Sequence, residues 1–96
     1  MYGTVARFRV KPGMLDAMVA WDEQFAANAP PGYVAHYVYQ TDEDANEFFV
    51  AVLFESREAY VANADSPEQN DQYVKWRELL EADPEWHDGE IVFPIT

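Results

Sequence analysis

The period of the hydrophobic positions changes several times along this chain. From Tyr2 to Val10 they alternate, with Thr4, Ala6, Phe8 and Val10 on one side and Val5, Arg7 and Arg9 on the other, as in a strand. Lys11-Pro12-Gly13-Met14 places proline and glycine at the second and third positions of a type II turn. Met14, Met18, Trp21 and Phe25 then recur at steps of four, three and four, which lays one apolar stripe along a helix. Asn28-Ala29-Pro30-Pro31-Gly32 ends that helix, because neither proline continues the hydrogen-bond ladder.

Tyr33 to Thr41 predicts a second strand, with Tyr33, Ala35, Tyr37 and Tyr39 facing away from Val34, His36, Val38 and Gln40. The polar run Asp42 to Asn46 is a hairpin loop. Phe48 to Phe54 is apolar without a break, a pattern that places a third strand with both faces buried. Ser56 caps a short helix that turns Tyr60 and Val61 inward, and Ser66-Pro67-Glu68-Gln69 has the form of a reciprocal capping box. The helix behind it carries Tyr73, Trp76 and Leu80 and is predicted to stop at Asp83-Pro84. Ile91, Val92 and Phe93 are predicted as the last strand, with Pro94 suiting an edge. The order is that of an α+β, ferredoxin-like βαββαβ domain with a four-stranded antiparallel sheet, one domain over residues 1–96. Its helices cover one face of the sheet, so the apolar third strand predicts a homodimer through the other face.

Composition narrows the function classes. Cysteine is absent, which removes disulfides, thiol catalysis and sulfur-based zinc sites. Six basic residues against 18 acidic ones give a net charge of −12, so neither nucleic acid nor an anionic membrane is an expected partner. The N-terminal residues lack the pattern of a signal peptide and no apolar run approaches a bilayer span, so a cytoplasmic protein is expected.

Val5-Ala6-Arg7-Phe8-Arg9-Val10-Lys11-Pro12-Gly13, Phe54-Glu55-Ser56-Arg57-Glu58-Ala59-Tyr60 and Ser66-Pro67 resemble the antibiotic biosynthesis monooxygenase (ABM) family, and the resemblance runs from Tyr2 to Phe93. It implies a dimeric α+β barrel, two ferredoxin-like sheets packed face to face. Members of that family include cofactor-independent oxygenases of aromatic polyketides, quinol oxidases and haem-degrading enzymes. Haem-degrading members use an asparagine on the first strand, and a tryptophan and a haem-ligating histidine on the second helical segment. Ala6, Asn63 and Tyr73 stand at the corresponding positions here, so haem degradation is not implied. Phe54 also departs from the tryptophan that many members place before the Glu-Ser turn. Asn63, Tyr73 and Trp76 are of the types that surround the ligand in some cofactor-free members.

Candidate chemistry centres on His36, whose neutral imidazole can take a proton from a phenol or enol, or can be a core histidine satisfied by a backbone carbonyl. Tyr33, Tyr37 and Tyr39 either line an aromatic cavity or, as the favoured reading, face a dimer partner. Arg7 and Arg9 either hold a carboxylate or a reduced quinone oxygen, or pair with nearby carboxylates, which is favoured. Trp86-His87-Asp88-Gly89-Glu90 reads as a polar turn before it reads as a metal site. The expected protein is therefore a cofactor-independent monooxygenase or oxidase of a small electron-rich aromatic, with no metal and no cofactor. His36 is its catalytic base, and Asn63, Tyr73, Trp76, Tyr37 and Arg7 bind the substrate. The alternatives are a non-catalytic dimer that binds a small apolar or aromatic ligand or acts as an accessory protein to a partner, and a cyclase or isomerase that uses His36 as a proton shuttle.

Overall fold

Alternating side chains make β1 (Tyr2–Arg9) the central ladder of a computed structural model that describes residues 1–93. Thr4, Ala6 and Phe8 are buried on one side of it, and Val10 continues the same row. The following turn closes from the Met14 N–H to the Lys11 carbonyl at 3.1 Å, with Gly13 at φ +82°, where a side chain would be strained. After it come α1 (Leu15–Ala27), β2 (Tyr33–Gln40), β3 (Glu47–Phe54), α2 (Arg57–Ala64), α3 (Pro67–Arg77) and β4 (Glu85–Glu90). The strands lie in the order β2-β3-β1-β4 and each neighbouring pair is antiparallel. This is the ferredoxin-like βαββαβ arrangement, with its second crossover divided between α2 and α3.

The helix starts follow from side-chain caps. Ser56 Oγ accepts the Ala59 N–H and Ser66 Oγ accepts the Gln69 N–H, each at 3.1 Å, and Pro67 occupies the first turn of α3. On α2 Tyr60 turns inward, but Val61 is solvent-exposed, contrary to expectation. α3 ends at Arg77, before Asp83-Pro84, because the chain turns there to bring Leu80 into a bridge with Val10. Arg77 secures that turn through the Leu80 carbonyl at 3.1 Å and Asp83 at 2.7 Å.

Three strand expectations need correction. The last strand is the polar stretch Glu85–Glu90, paired along β1 from Tyr2↔Glu90 to Arg7↔Glu85; Ile91 to Phe93 follow it, with Val92 and Phe93 exposed. The edge strand exposes all six of its residues, so it has no hydrophobic period to read. The expected edge role of Pro94 lies outside the described residues. In β3 only one face is covered by this chain: Phe48, Val50 and Phe54 are buried, whereas Phe49 is 36% exposed. Finally, β2 carries an irregularity between Tyr33 and Ala35. It pairs Tyr33 with Phe54 on the helix side, while Tyr37 and Tyr39 pair with Ala51 and Phe49 on the uncovered side.

The helices pack on the buried face around Trp76, whose ring lies edge-on to Phe8 at 5.0 Å and near Trp21 at 5.7 Å and Trp86 at 5.9 Å between centroids. Among the described residues no helix is long and apolar enough to cross a membrane.

Candidate functional site: a cavity between sheet and helices

A cavity of about 900 Å³ lies between the helix side of the sheet and the helices above it. Register builds its floor. His36 faces Val52, Val52 faces Thr4 and Thr4 faces Asp88, so one row of side chains crosses all four strands on the same side. The next row, Val38, Val50, Ala6 and Trp86, is apolar. Polar groups therefore stand at the two ends of the floor, with hydrocarbon and indole between and beside them.

At the β2 end His36 has a side chain only 9% exposed, and each of its ring nitrogens has a partner. Nε2 lies 2.7 Å from Asp22 Oδ1 and Nδ1 meets the Tyr33 hydroxyl. A carboxylate only accepts, so Nε2 carries the proton given to Asp22, and the Nδ1 lone pair accepts from the Tyr33 phenol. Burial first, and then the Asp22 charge, raise the Tyr33 phenol above its ordinary value, so Tyr33 keeps the proton it donates. Asp22 and His36 line the cavity, and so does Phe25, which packs edge-on to both Tyr33 and His36 at 5.7 Å.

At the β4 end the Tyr60 hydroxyl donates to Asp88 Oδ1 at 2.8 Å. Burial, together with the carboxylate it faces, pushes the Tyr60 phenol far above its ordinary value. Thr4 Oγ1 lies near Tyr60, but no hydrogen bond of proper geometry forms, and this buried hydroxyl has no partner among the described residues. Asn63 lines the cavity one turn farther along α2.

The cavity brings together His36, Asn63, Tyr73 and Trp76. It does not include Tyr37 or Arg7, which project from the opposite face because their register partners there are Ala51 and Phe49. Arg7 is held by Glu47 at 2.6 Å and Glu85 at 3.4 Å, while Arg9 pairs with Asp44 and Glu81; the Glu47 hydrogen bond is the main cause of the raised Arg7 value. His87 and Asp88 point to opposite sides of β4, opposite Val5 and Thr4 respectively. Among the described residues no three potential ligands from histidine, aspartate and glutamate converge on one point.

The sequence marks no site role for Asp22, Thr4 or the inward-turned Tyr60, and offers Asp88 only as part of a possible metal cluster with His87 and Glu90. Asp22 had a signal: it follows Met18 by four residues, so it interrupts the buried stripe of α1 with a carboxylate. Thr4 was placed on the buried side of β1, where a hydroxyl needs a partner. Asp88 was legible only once its strand was known.

The sequence model described as antibiotic biosynthesis monooxygenase matches residues 1–76, so β4 lies beyond the matched stretch. Among solved structures, a Chloroflexus aurantiacus protein assigned to the same group is 27% identical, with a TM-score of 0.77 over 99% of this chain and 96% of its own. A cofactor-independent oxygenase from Streptomyces nogalater has a TM-score of 0.77 at 17% identity, covering 98% of this chain and 97% of its own. A Mycobacterium tuberculosis protein has a TM-score of 0.78 at 20% identity, over 99% and 98%. The likeness to these last two is one of fold. No curated protein matches the sequence. The family match spans the first three strands, α1, α2 and all but the last residue of α3: this chain belongs to the antibiotic biosynthesis monooxygenase family.

Proposed function

We propose that the protein is a cofactor-independent monooxygenase or oxidase of a small electron-rich aromatic, in which the Asp22–His36 pair removes the substrate's proton. The observation that carries this reading is the contact of the cavity imidazole with a carboxylate, His36 Nε2 to Asp22 Oδ1 at 2.7 Å. Family membership and an aromatic-lined cavity support a monooxygenase-type role. A bound phenol displaces the Tyr33 hydroxyl from His36 Nδ1 and gives its proton to that lone pair, and Asp22, on Nε2, stabilises the imidazolium that results. The phenolate is electron-rich enough to pass an electron to dioxygen, and the two radicals combine into a carbon–oxygen bond. Loss of water leaves one oxygen atom as a ring carbonyl, so the substrate supplies every electron. Trp76, Tyr73 and Asn63 hold the ring during these steps.

The test is dioxygen consumption by purified protein with hydroquinones and naphthols, and no added metal or flavin. One dioxygen consumed per ring oxidised, at a rate well above buffer, is expected. A rate equal to buffer for every phenol that binds overturns the reading. One observation favours a second one: both nitrogens of His36 are satisfied within the chain, as in a structural histidine. On that reading the cavity retains an aromatic ligand without turning it over.

We also infer that the protein is a homodimer. Val5, Tyr37, Tyr39 and Phe49 are all exposed on the face of the sheet that carries no helix. A second copy packed on that face removes this apolar surface from water and closes the barrel.

A further inference from the structure

The charge around the cavity is of one sign. Asp22, Glu23 and Asp88 line it, and among the described residues no lysine or arginine does. The cations of the sheet, Arg7 and Arg9, are held on the far face by their own carboxylates. On a chain of net charge −12, such a cavity repels anions and gathers cations.

An independent feature says where a cation belongs. Thr4 is 5% exposed, lines the cavity floor, and leaves Oγ1 with no hydrogen-bond partner among the described residues. A buried hydroxyl without a partner is a standing cost that a ligand can remove. Across the β1–β4 ladder from Thr4 stands Asp88, at the exposed rim, where one carboxylate oxygen is taken by Tyr60 and the other is not used by that bond. We propose that the cavity takes an aromatic substrate bearing a protonated amine, with the ammonium seated between Thr4 and Asp88, and rejects carboxylate-bearing analogues. This rests on the aromatic-oxidation reading above and names its substrate class. An ammonium brings three donors and a positive charge to two acceptors and a negative charge, whereas a hydroxyl brings one donor and no charge. Trp86, two residues before Asp88 on the same face of β4, offers an indole to the same cation.

Trp21, Trp76 and Trp86 line the cavity, so their fluorescence reports occupancy directly. Tyramine, 4-ethylphenol and 4-hydroxyphenylacetate share a phenol ring and differ in charge, and are titrated in about 0.15 M salt. Tyramine is expected to bind most tightly, about tenfold or more ahead of 4-hydroxyphenylacetate. Asp88→Asn should cut the advantage of tyramine over 4-ethylphenol about fivefold, and Thr4→Val should reduce it with no change in net charge. Glu58→Gln removes the same charge from an exposed position on α2 that does not line the cavity, and should leave the order intact. Equal binding of the three ligands, saturation by none of them, or indistinguishable effects of Asp88→Asn and Glu58→Gln, overturns the proposal. Oxygen uptake separates it from the reading beneath it. Ordered binding without uptake removes the oxygenase alone, and uptake without the tyramine preference removes the ammonium site alone.

Discussion

His36 Nε2 lies 2.7 Å from Asp22 Oδ1, so β2 and α1 are joined inside the cavity by a single imidazole–carboxylate hydrogen bond. The bond fixes which nitrogen of the ring carries the proton, and hence leaves Nδ1 as the acceptor of the Tyr33 phenol. A carboxylate so placed also stabilises the ring once it has taken up a proton.

That relationship sets the order of three variants. His36→Ala is expected to lower the rate of oxygen uptake by about 10²–10⁴-fold, the usual contribution of a general base. Asp22→Asn should lower it less, because the ring stays in place and loses only its anionic partner. Tyr33→Phe should leave most of the rate, since Tyr33 does not line the cavity. Steady-state uptake measurements on proteins with unchanged circular dichroism decide it, and a Tyr33→Phe loss as large as that of His36→Ala contradicts the assignment.

The dimer is checked by light scattering at micromolar concentration, where about twice 11.1 kDa is expected. Val5→Glu and Tyr37→Glu place a charge on the open face of the sheet and should give monomers. Val61→Glu, on the exposed side of α2, should not.

Gly3 and Gly89 are register partners with opposite tolerance. A Cβ on Gly3 would collide with the Val52 carbonyl, whereas one on Gly89 meets nothing within 4 Å among the described residues. Gly3→Ala should therefore cost about 3 kcal/mol, the upper end for forced overpacking, while Gly89→Ala is close to neutral. Urea unfolding of the two variants gives the comparison, and similar midpoints would show that β1 and β3 part more easily than their register implies.

Stability should fall at both extremes of pH, for opposite reasons. The Asn46 N–H, and then the Arg9 guanidinium, hold the Asp44 carboxyl below its ordinary 3.8. A group lowered in this way stabilises the fold above its unfolded value and loses that contribution as pH drops through the folded one. The Tyr60 phenol is shifted upward from 10.0, so its contribution is complete below that value and declines as pH rises past it. Thermal melting should show an alkaline decline beginning near pH 10 that is shallower in Tyr60→Phe. A decline of the same steepness in Tyr60→Phe would assign it to other groups.

What the sequence disclosed is what periodicity can encode. β1 buries alternate residues against a helix layer, and Met18, Trp21 and Phe25 share one side of α1, so element types and order were legible. β4 was not, because a strand exposed on both sides has no buried face to repeat, and Ile91-Val92-Phe93 offered a false one. His36, Asn63, Tyr73 and Trp76 were singled out by residue type, and they share a cavity because their elements pack on the same side of the sheet. Arg7 and Tyr37 were equally plausible by type and lie across the sheet from them, a distinction set by pairing register. Asp22, Thr4 and Asp88 acquire chemistry only from what stands opposite them.

The irregularity in β2 shows how much of this site depends on counting. Residues three apart in a regular strand point to opposite faces, and Tyr33 and His36 are three apart. They touch because the chain between them accommodates one residue that the ladder does not, so an otherwise unremarkable valine, Val34, works as a spacer. Val34 is 45% exposed, and conservative exchanges such as Val34→Thr are silent by this logic. A kinship test for the Tyr33–His36–Asp22 array is then one of interval: a relative with tyrosine and histidine here, but an unbroken ladder between them, would carry the same letters and lack the connection.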